Sequence, residues 1–153
     1  MQLYNKLSTK EREHLLDQAG EERLTLSFYQ YAKIRNPTLF RDYLFIHWDE
    51  LNVLGRIYIA NEGINAQLSV TAPNFEAFRT HLDSIEFLNN VRLNVAIEQN
   101  NKSFLKLKIK VRNKIVSDGL NDSSFDVTQK GQHLNADRFN ALLDDPNTVC
   151  VDM

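Results

Sequence analysis

The sequence predicts an α+β fold in which an antiparallel sheet carries its two main helices on one face, the split βαβ or ferredoxin-like arrangement. Three observations predict it. Runs rich in β-formers, or alternating apolar and polar, recur at 24–34, 53–60, 64–70 and 91–100. Segments with apolar residues at helical spacing follow the first and third of these runs. Asparagine, glycine and proline punctuate the boundaries, which leaves the order β-α-β-β-α-β. A further period-two run after residue 100 adds one strand.

Each element has a local cause. Ser8-Thr9-Lys10-Glu11 is a capping-box pattern, so a short helix is expected from there to Gly20, the stop. LTLSFYQYAKI (24–34) is β-rich, and Asn36-Pro37 ends it. From Thr38 to Asn52, Leu39, Phe40, Tyr43, Leu44, Ile46, His47 and Leu51 fall at helical spacing. VLGRIYIANEGINAQLSV reads as two strands around a turn at Asn61-Glu62-Gly63. Pro73 and Asn74 open a second helix carrying Phe75, Phe78, Leu82 and Ile85. VRLNVAIEQN (91–100) places apolar residues at 91, 93, 95 and 97 of a fourth strand.

Composition bounds the function. The chain has 153 residues, 42% of them hydrophobic, which suits one domain and a little more. A single cysteine, Cys150, excludes an internal disulfide framework and a zinc cluster. No apolar run is long enough to span a membrane, and the polar N-terminus lacks a signal-peptide core, so no membrane partner and a cytoplasmic location are expected. Net charge is −2, yet its distribution is uneven. Residues 102–114 hold six Lys/Arg and no acid, whereas 117–153 hold seven Asp against Lys130 and Arg138. That switch places a boundary near residue 116. The first unit is 1–116, and a polar, turn-rich linker occupies 117–132. Residues 133–153 then read as a helix capped by Asn135, followed by a strand beginning at VCVDM, the opening of a truncated second α/β domain.

The most informative segment is FLKLKIKVRNKI (104–115). Leu105, Leu107, Ile109 and Val111 alternate with Lys106, Lys108, Lys110 and Arg112, and Lys114 extends the series. On a strand with one buried face the other face carries five cations over about 26 Å. Such a stripe can neutralise successive phosphates of a nucleic acid. Taken alone, such a run is more often a solvated face, or an edge guarded by lysine against aggregation. Arg56 and Tyr58 share one face of their strand, and Tyr29 and Tyr31 share a face of theirs. Aromatics beside cations suit base stacking, but a helix-covered core face reads the same way, and no RNP-like pattern is present. Phosphate contact, with Arg56 joining the stripe, is therefore the inference carried forward.

Other candidates are weaker. His14, His47, His81 and His133 have no metal-ligand spacing, and His47 lies on the apolar helical stripe beside Trp48 as a core or boundary histidine. Cys150 between two valines lacks an activating environment and reads as a small buried hydrophobe in a strand. Asn61, Glu62 and Asn65 surround the central hairpin, where they serve turn chemistry or offer side chains to a ligand. No catalytic residue, metal site or cofactor motif is evident.

The blocks GRIYIANEGINAQ (55–67) and KVRNKIVSDG (110–119), with TLSFYQYAKI before and DDPNTVCVDM after, resemble the N-terminal part of the bacterial rhodanese-related tRNA uridine hydroxylases, formerly putative rhodanese-like sulfurtransferases. The resemblance covers nearly the whole chain. It implies an acylphosphatase-like N-terminal domain, then a rhodanese domain whose first strand is Thr148 to Met153. It also implies an enzyme that makes 5-hydroxyuridine at the tRNA wobble position with molecular oxygen as co-substrate. The reactive cysteine would lie beyond residue 153, so this stretch alone is expected to be inactive. tRNA and the chain's own C-terminal rhodanese domain are the implied partners, and Lys106, Lys108, Lys110, Arg112 and Lys114 become candidate tRNA-backbone contacts. Two alternatives stand beside this. One is an interaction or regulatory module of a rhodanese-type sulfurtransferase. The other is an acylphosphatase-type enzyme, which the glycine-free Ile34-Arg35-Asn36-Pro37 segment disfavours.

Overall fold

The computed structural model describes residues 3, 6–116, 119, 124–129 and 131–152. Helix α1 spans Thr9–Ala19, with Ser8 and Glu11 forming the reciprocal capping box and Gly20 closing it in the left-handed region. Strand β1 (Arg23–Tyr31) is followed by α2 (Pro37–Glu50), whose Asn36 cap accepts from the Leu39 amide. Strands β2 (Leu54–Ala60) and β3 (Gly63–Thr71) form the central hairpin. Helix α3 (Phe75–Asp83), a two-residue β4 (Asn94–Val95), β5 (Leu107–Val111) and α4 (Ala136–Leu143) complete the order.

The sheet order is β4-β1-β3-β2-β5. Its first four strands are antiparallel neighbours in the split βαβ order, and β5 adds to β2 in parallel. One face is the core. Leu26, Phe28, Ile57, Ile59, Ile64, Ala66, Leu68, Leu107 and Ile109 point to it and meet Leu44, Phe45 and Trp48 of α2 and Phe78 and Leu82 of α3. Trp48 is fully buried and packs edge-on against Phe28 and Phe78. The hairpin requires glycine at 63. Its φ is +147°, and a Cβ there would lie 2.1 Å from the Gln30 carbonyl oxygen of β1.

Three expectations are corrected. The strand at 91–100 contracts to Asn94–Val95, because the chain there is an edge that peels from β1 once the Ala96 amide has bonded Thr25 O. Val95 and Ile97, which continue the apolar alternation, are exposed. The basic strand contracts to Leu107–Val111, leaving Lys106, Arg112 and Lys114 on the segments that flank it. Residues 148–152 pair with no strand among the described residues, so Cys150 is exposed rather than buried. Neighbouring α4 likewise leaves Phe139, Leu142 and Leu143 exposed. Part of the expected linker (117, 118, 120–123 and 130), with Asp118, Asp122 and Lys130, lies outside the described residues, as does Met153.

Strand order imposes a crossing. The chain leaves β4 at one edge of the sheet and must reach β5 at the other. The helices occupy the core face, so residues 96–106 pass over the outer face at the end where β1 begins. Thr25 binds this crossing segment through its amide to Gln99 Oε1 (2.7 Å) and its hydroxyl to Ser103 (3.3 Å). Helix α1 docks on the same segment through Asp17–Lys102 (2.7 Å) and Arg12 to Leu105 O (3.3 Å). Beneath the crossing Arg23 is buried. Its backbone amide donates to Asn101, and its guanidinium donates to Ser69 Oγ (3.1 Å), Ser69 O (3.0 Å) and Asn52 O. Burial pulls its pKa below the usual arginine value, but a guanidinium stays charged at any working pH. Replacing Arg23 by Met keeps the stem and orphans these acceptors, so thermal and urea unfolding should report a loss of about 1–3 kcal/mol. Arg23→Lys should recover only part of it, because one ammonium cannot reproduce the fork.

A second polar cluster ties α2 to α3. Trp48 Nε1 donates to His81 Nδ1 (3.2 Å), which leaves the proton on His81 Nε2 facing Tyr43 Oη (3.1 Å), and the His47 ring stacks on His81 at 4.9 Å. Burial first, and the neighbouring His47 second, lower the His81 pKa below 6.5. The unfolded chain therefore takes up the proton at higher pH than the folded chain does, so this contribution to stability is complete above about pH 6.5 and declines as pH falls below it. Melting temperature should drop on acidification through that window. The drop should shrink in His81→Gln, whose amide can accept from Trp48 without titrating; an undiminished drop assigns the pH effect to other groups.

Candidate nucleic-acid interface

The outer face of the sheet is built by alternation. With Phe28, Ala66, Ile57 and Ile109 pointing into the core, their neighbours in each strand must point out. The ladder registers align those neighbours in two rows across four strands. One row is Ser27, Gln67, Arg56 and Lys108; the other is Tyr29, Asn65, Tyr58 and Lys110. Each row crosses three strand spacings, about 14 Å, and the rows lie about 7 Å apart.

Chain segments border this strip on both sides. The 96–106 crossing covers the end occupied by Arg23, Thr25 and Ser69. At the hairpin end the segment after β5 folds back. Glu62 Oε1 accepts from the Ile115 amide (2.8 Å), and Asn65 Nδ2 donates to Ile115 O (3.3 Å), which buries Ile115. Asn61 Nδ2 donates to Ile34 O (2.9 Å). Of the three hairpin residues marked out in the sequence, Glu62 and Asn65 thus clasp Ile115 and close one end of the strip, while Asn61 ties the turn to Ile34.

Electrostatics of the strip are one-sided. Strands β1, β2, β3 and β5 contain no Asp or Glu. Arg56, Lys106, Lys108 and Arg112 are exposed, and Lys110 is half-buried. None of these five forms an ion pair among the described residues. Lys114, half-buried beside the Ile115 clasp, lies past the border of the strip. Arg56 and Lys108 are register partners, an arrangement of like charges that costs stability. Edge protection accounts for lysines on β5, the outermost strand, but not for an exposed arginine one strand further in. Charges held together without counter-charges make a strip suited to an extended polyanion.

Aromatic rings share the strip, which the sequence alone could not decide. Tyr29 is 51% exposed and meets Tyr31 edge-to-face at 5.9 Å. The Arg112 guanidinium lies 5.5 Å from the Tyr58 ring centroid. Neither helix of the core layer covers them.

Elsewhere the structure offers less. A cleft of about 870 Å³ between α1 and the crossing segment is lined by Asp17, Glu22 and Glu98, with Arg23 and Lys102 already engaged, a poor setting for phosphate. In the Ile34–Pro37 loop, Ile34 N donates to Asn61 O and Asn36 caps the start of α2. Among the described residues no cluster of three or more His, Cys, Asp or Glu could hold a metal, and no helix is long and apolar enough to cross a membrane.

Comparison with known proteins follows the same lines. Residues 23–115 match the UPF0176 acylphosphatase like domain, so α1 and α4 fall outside the matched region. The chain is 49% identical over 138 residues to a protein of Leptospira interrogans named tRNA uridine(34) hydroxylase, covering 90% of this chain and 38% of that protein. Proteins of the same name from Pectobacterium atrosepticum and Escherichia coli are 49% and 44% identical over 152 residues, covering 99% of this chain and 43% of each. The chain thus spans about two-fifths of the length of the curated relatives it matches.

Proposed function

The chain belongs to the UPF0176 acylphosphatase-like domain family, and from that membership we propose that it is the tRNA-contacting N-terminal domain of a longer enzyme that hydroxylates the wobble uridine of tRNA, with molecular oxygen as co-substrate. The observation that carries the proposal is the acid-free strip bearing Arg56, Lys106, Lys108, Lys110 and Arg112, on the sheet face that the helices leave open. Its role is to hold the tRNA backbone while chemistry occurs in a rhodanese domain beyond residue 153, so residues 1–153 alone turn over no substrate. Lys, Arg and backbone contacts of this kind position a nucleic acid and do not by themselves read its sequence. The enzyme works in the cytoplasm, where its tRNA substrate resides.

The proposed organisation is a first domain over 1–116, a connector over 117–132 and the beginning of the rhodanese domain over 133–153. Its support is the family match ending at 115 and the exposed apolar side of α4, which a following domain would cover. Limited proteolysis should cut first within 117–132 and leave the sheet domain intact. First cuts within β2 or β3 would refute this division.

Binding follows a salt law. Each phosphate contact contributes close to one unit to the slope of log affinity against log salt. Changing both Lys108 and Lys110 to Gln in the full-length enzyme should weaken binding of different tRNAs alike and lower that slope by about two. Melting temperature should change little, since both ammonium groups lie on the outer face. An unchanged slope would reduce the stripe to edge protection.

A further inference from the structure

We propose that the strip is a stacking platform for unpaired nucleotides, with Tyr29 and the Tyr58–Arg112 pair receiving bases and Arg56, Lys108 and Lys110 taking the phosphates between them. This rests on the reading of the strip as a tRNA-backbone surface and deepens it by naming the form of RNA and the residues that select it.

Three observations point this way. First, Tyr29 and Tyr58 occupy the same row, about 10 Å apart across two strand spacings, and flank Asn65, which holds the Ile115 backbone at the hairpin-side border, so the two rings open onto one strip from either side of that border. Second, both rings are held in place. Tyr31 abuts Tyr29 edge-to-face at 71°, and the Arg112 guanidinium lies over Tyr58. Held rings lose little freedom when a base lands on them. Third, half of the Tyr29 surface remains exposed on a strip crowded with cations.

Duplex RNA does not suit this surface. Its bases are stacked on each other inside the helix, and its accessible minor groove is read through hydroxyl and phosphate contacts. A nearly flat floor of rings can engage only bases that have left the helical stack, as in a loop or a single strand. Arg56 and Lys108, side by side in the adjacent row about 7 Å away, lie where the backbone linking such bases would run. Gln67, exposed between Ser27 and Arg56, offers both a donor and an acceptor to a base edge.

The test compares RNA forms and ring chemistry in the same chain. A hairpin RNA with an unpaired loop and a blunt duplex of equal length are titrated against the wild-type chain, Tyr29→Leu, Tyr29→Phe, Tyr58→Leu and the Lys108→Gln/Lys110→Gln double variant, each first checked by thermal melting. Each Leu variant should bind the hairpin roughly tenfold more weakly, bind the duplex as wild type does, and keep the wild-type salt slope. Tyr29→Phe should retain wild-type binding, because stacking needs the ring and not the hydroxyl. Should Tyr58→Leu perturb folding, Tyr29→Leu against Tyr29→Phe decides alone. Leu variants that bind the hairpin normally, or lose hairpin and duplex equally, overturn the platform; if the lysine variant still shows its lowered salt slope, the backbone reading survives. A wild-type chain that binds neither RNA removes both. Rings already shielded from photo-oxidation in the full-length enzyme without RNA would assign the strip to a protein partner and overturn the proposal.

Discussion

The arrangement turns on one topological constraint: the chain must travel from β4 at one edge of the sheet to β5 at the other. The core face is filled by α2 and α3, so the path lies across the outer face. That crossing buries Arg23 and Ser69, which would otherwise sit in solvent, and gives α1 a place to dock. It also brings β5 in parallel beside β2, and this places Lys108 against Arg56 and Lys110 against Tyr58. A strand returning antiparallel by a tight turn would not have needed the crossing. The Glu62 and Asn65 clasp on Ile115 closes the other end, so the exposed strip is what two chain segments leave uncovered between them.

Features fixed by neighbours in sequence were legible before the structure. The Ser8–Glu11 capping box and the Gly63 turn depend on a few adjacent residues and appear as read, whereas Asn36, read as ending the first strand, also caps α2. Strand lengths were less legible. Alternation at 91–97 persists after the chain has left β1, because period two reports how side chains would alternate and not whether a partner strand is present. The same limit governs VCVDM at 149–153, whose described residues pair with nothing described.

The candidate site was half legible. The cations stood out through their spacing and the tyrosines through a shared face, but whether that face is covered did not show, because SFYQY places aromatics on both faces of β1. Phe28 is in the core and Tyr29 is exposed, and only the position of α2 and α3 decides which is which. Glu62 and Asn65, plausible as ligand groups in sequence, are engaged by the Ile115 backbone, a contact between distant parts of the chain. The His81 cluster is invisible to sequence spacing because its partners, Trp48, Tyr43 and His47, lie on another helix.

On the proposal above, the outer strip, and not another basic surface, meets RNA. Lysine-reactivity footprinting by mass spectrometry tests it residue by residue, with the protein labelled by an amine-acylating reagent in the presence and absence of tRNA. Lys106, Lys108 and Lys110 should be protected by tRNA, and the protection should vanish at high salt. Lys10, on α1, and Lys33, past the end of β1 and paired with Asp126, should react alike in both conditions. Protection centred on Lys10 or Lys33, with Lys108 unchanged, would place the RNA on another surface and remove the strip's role.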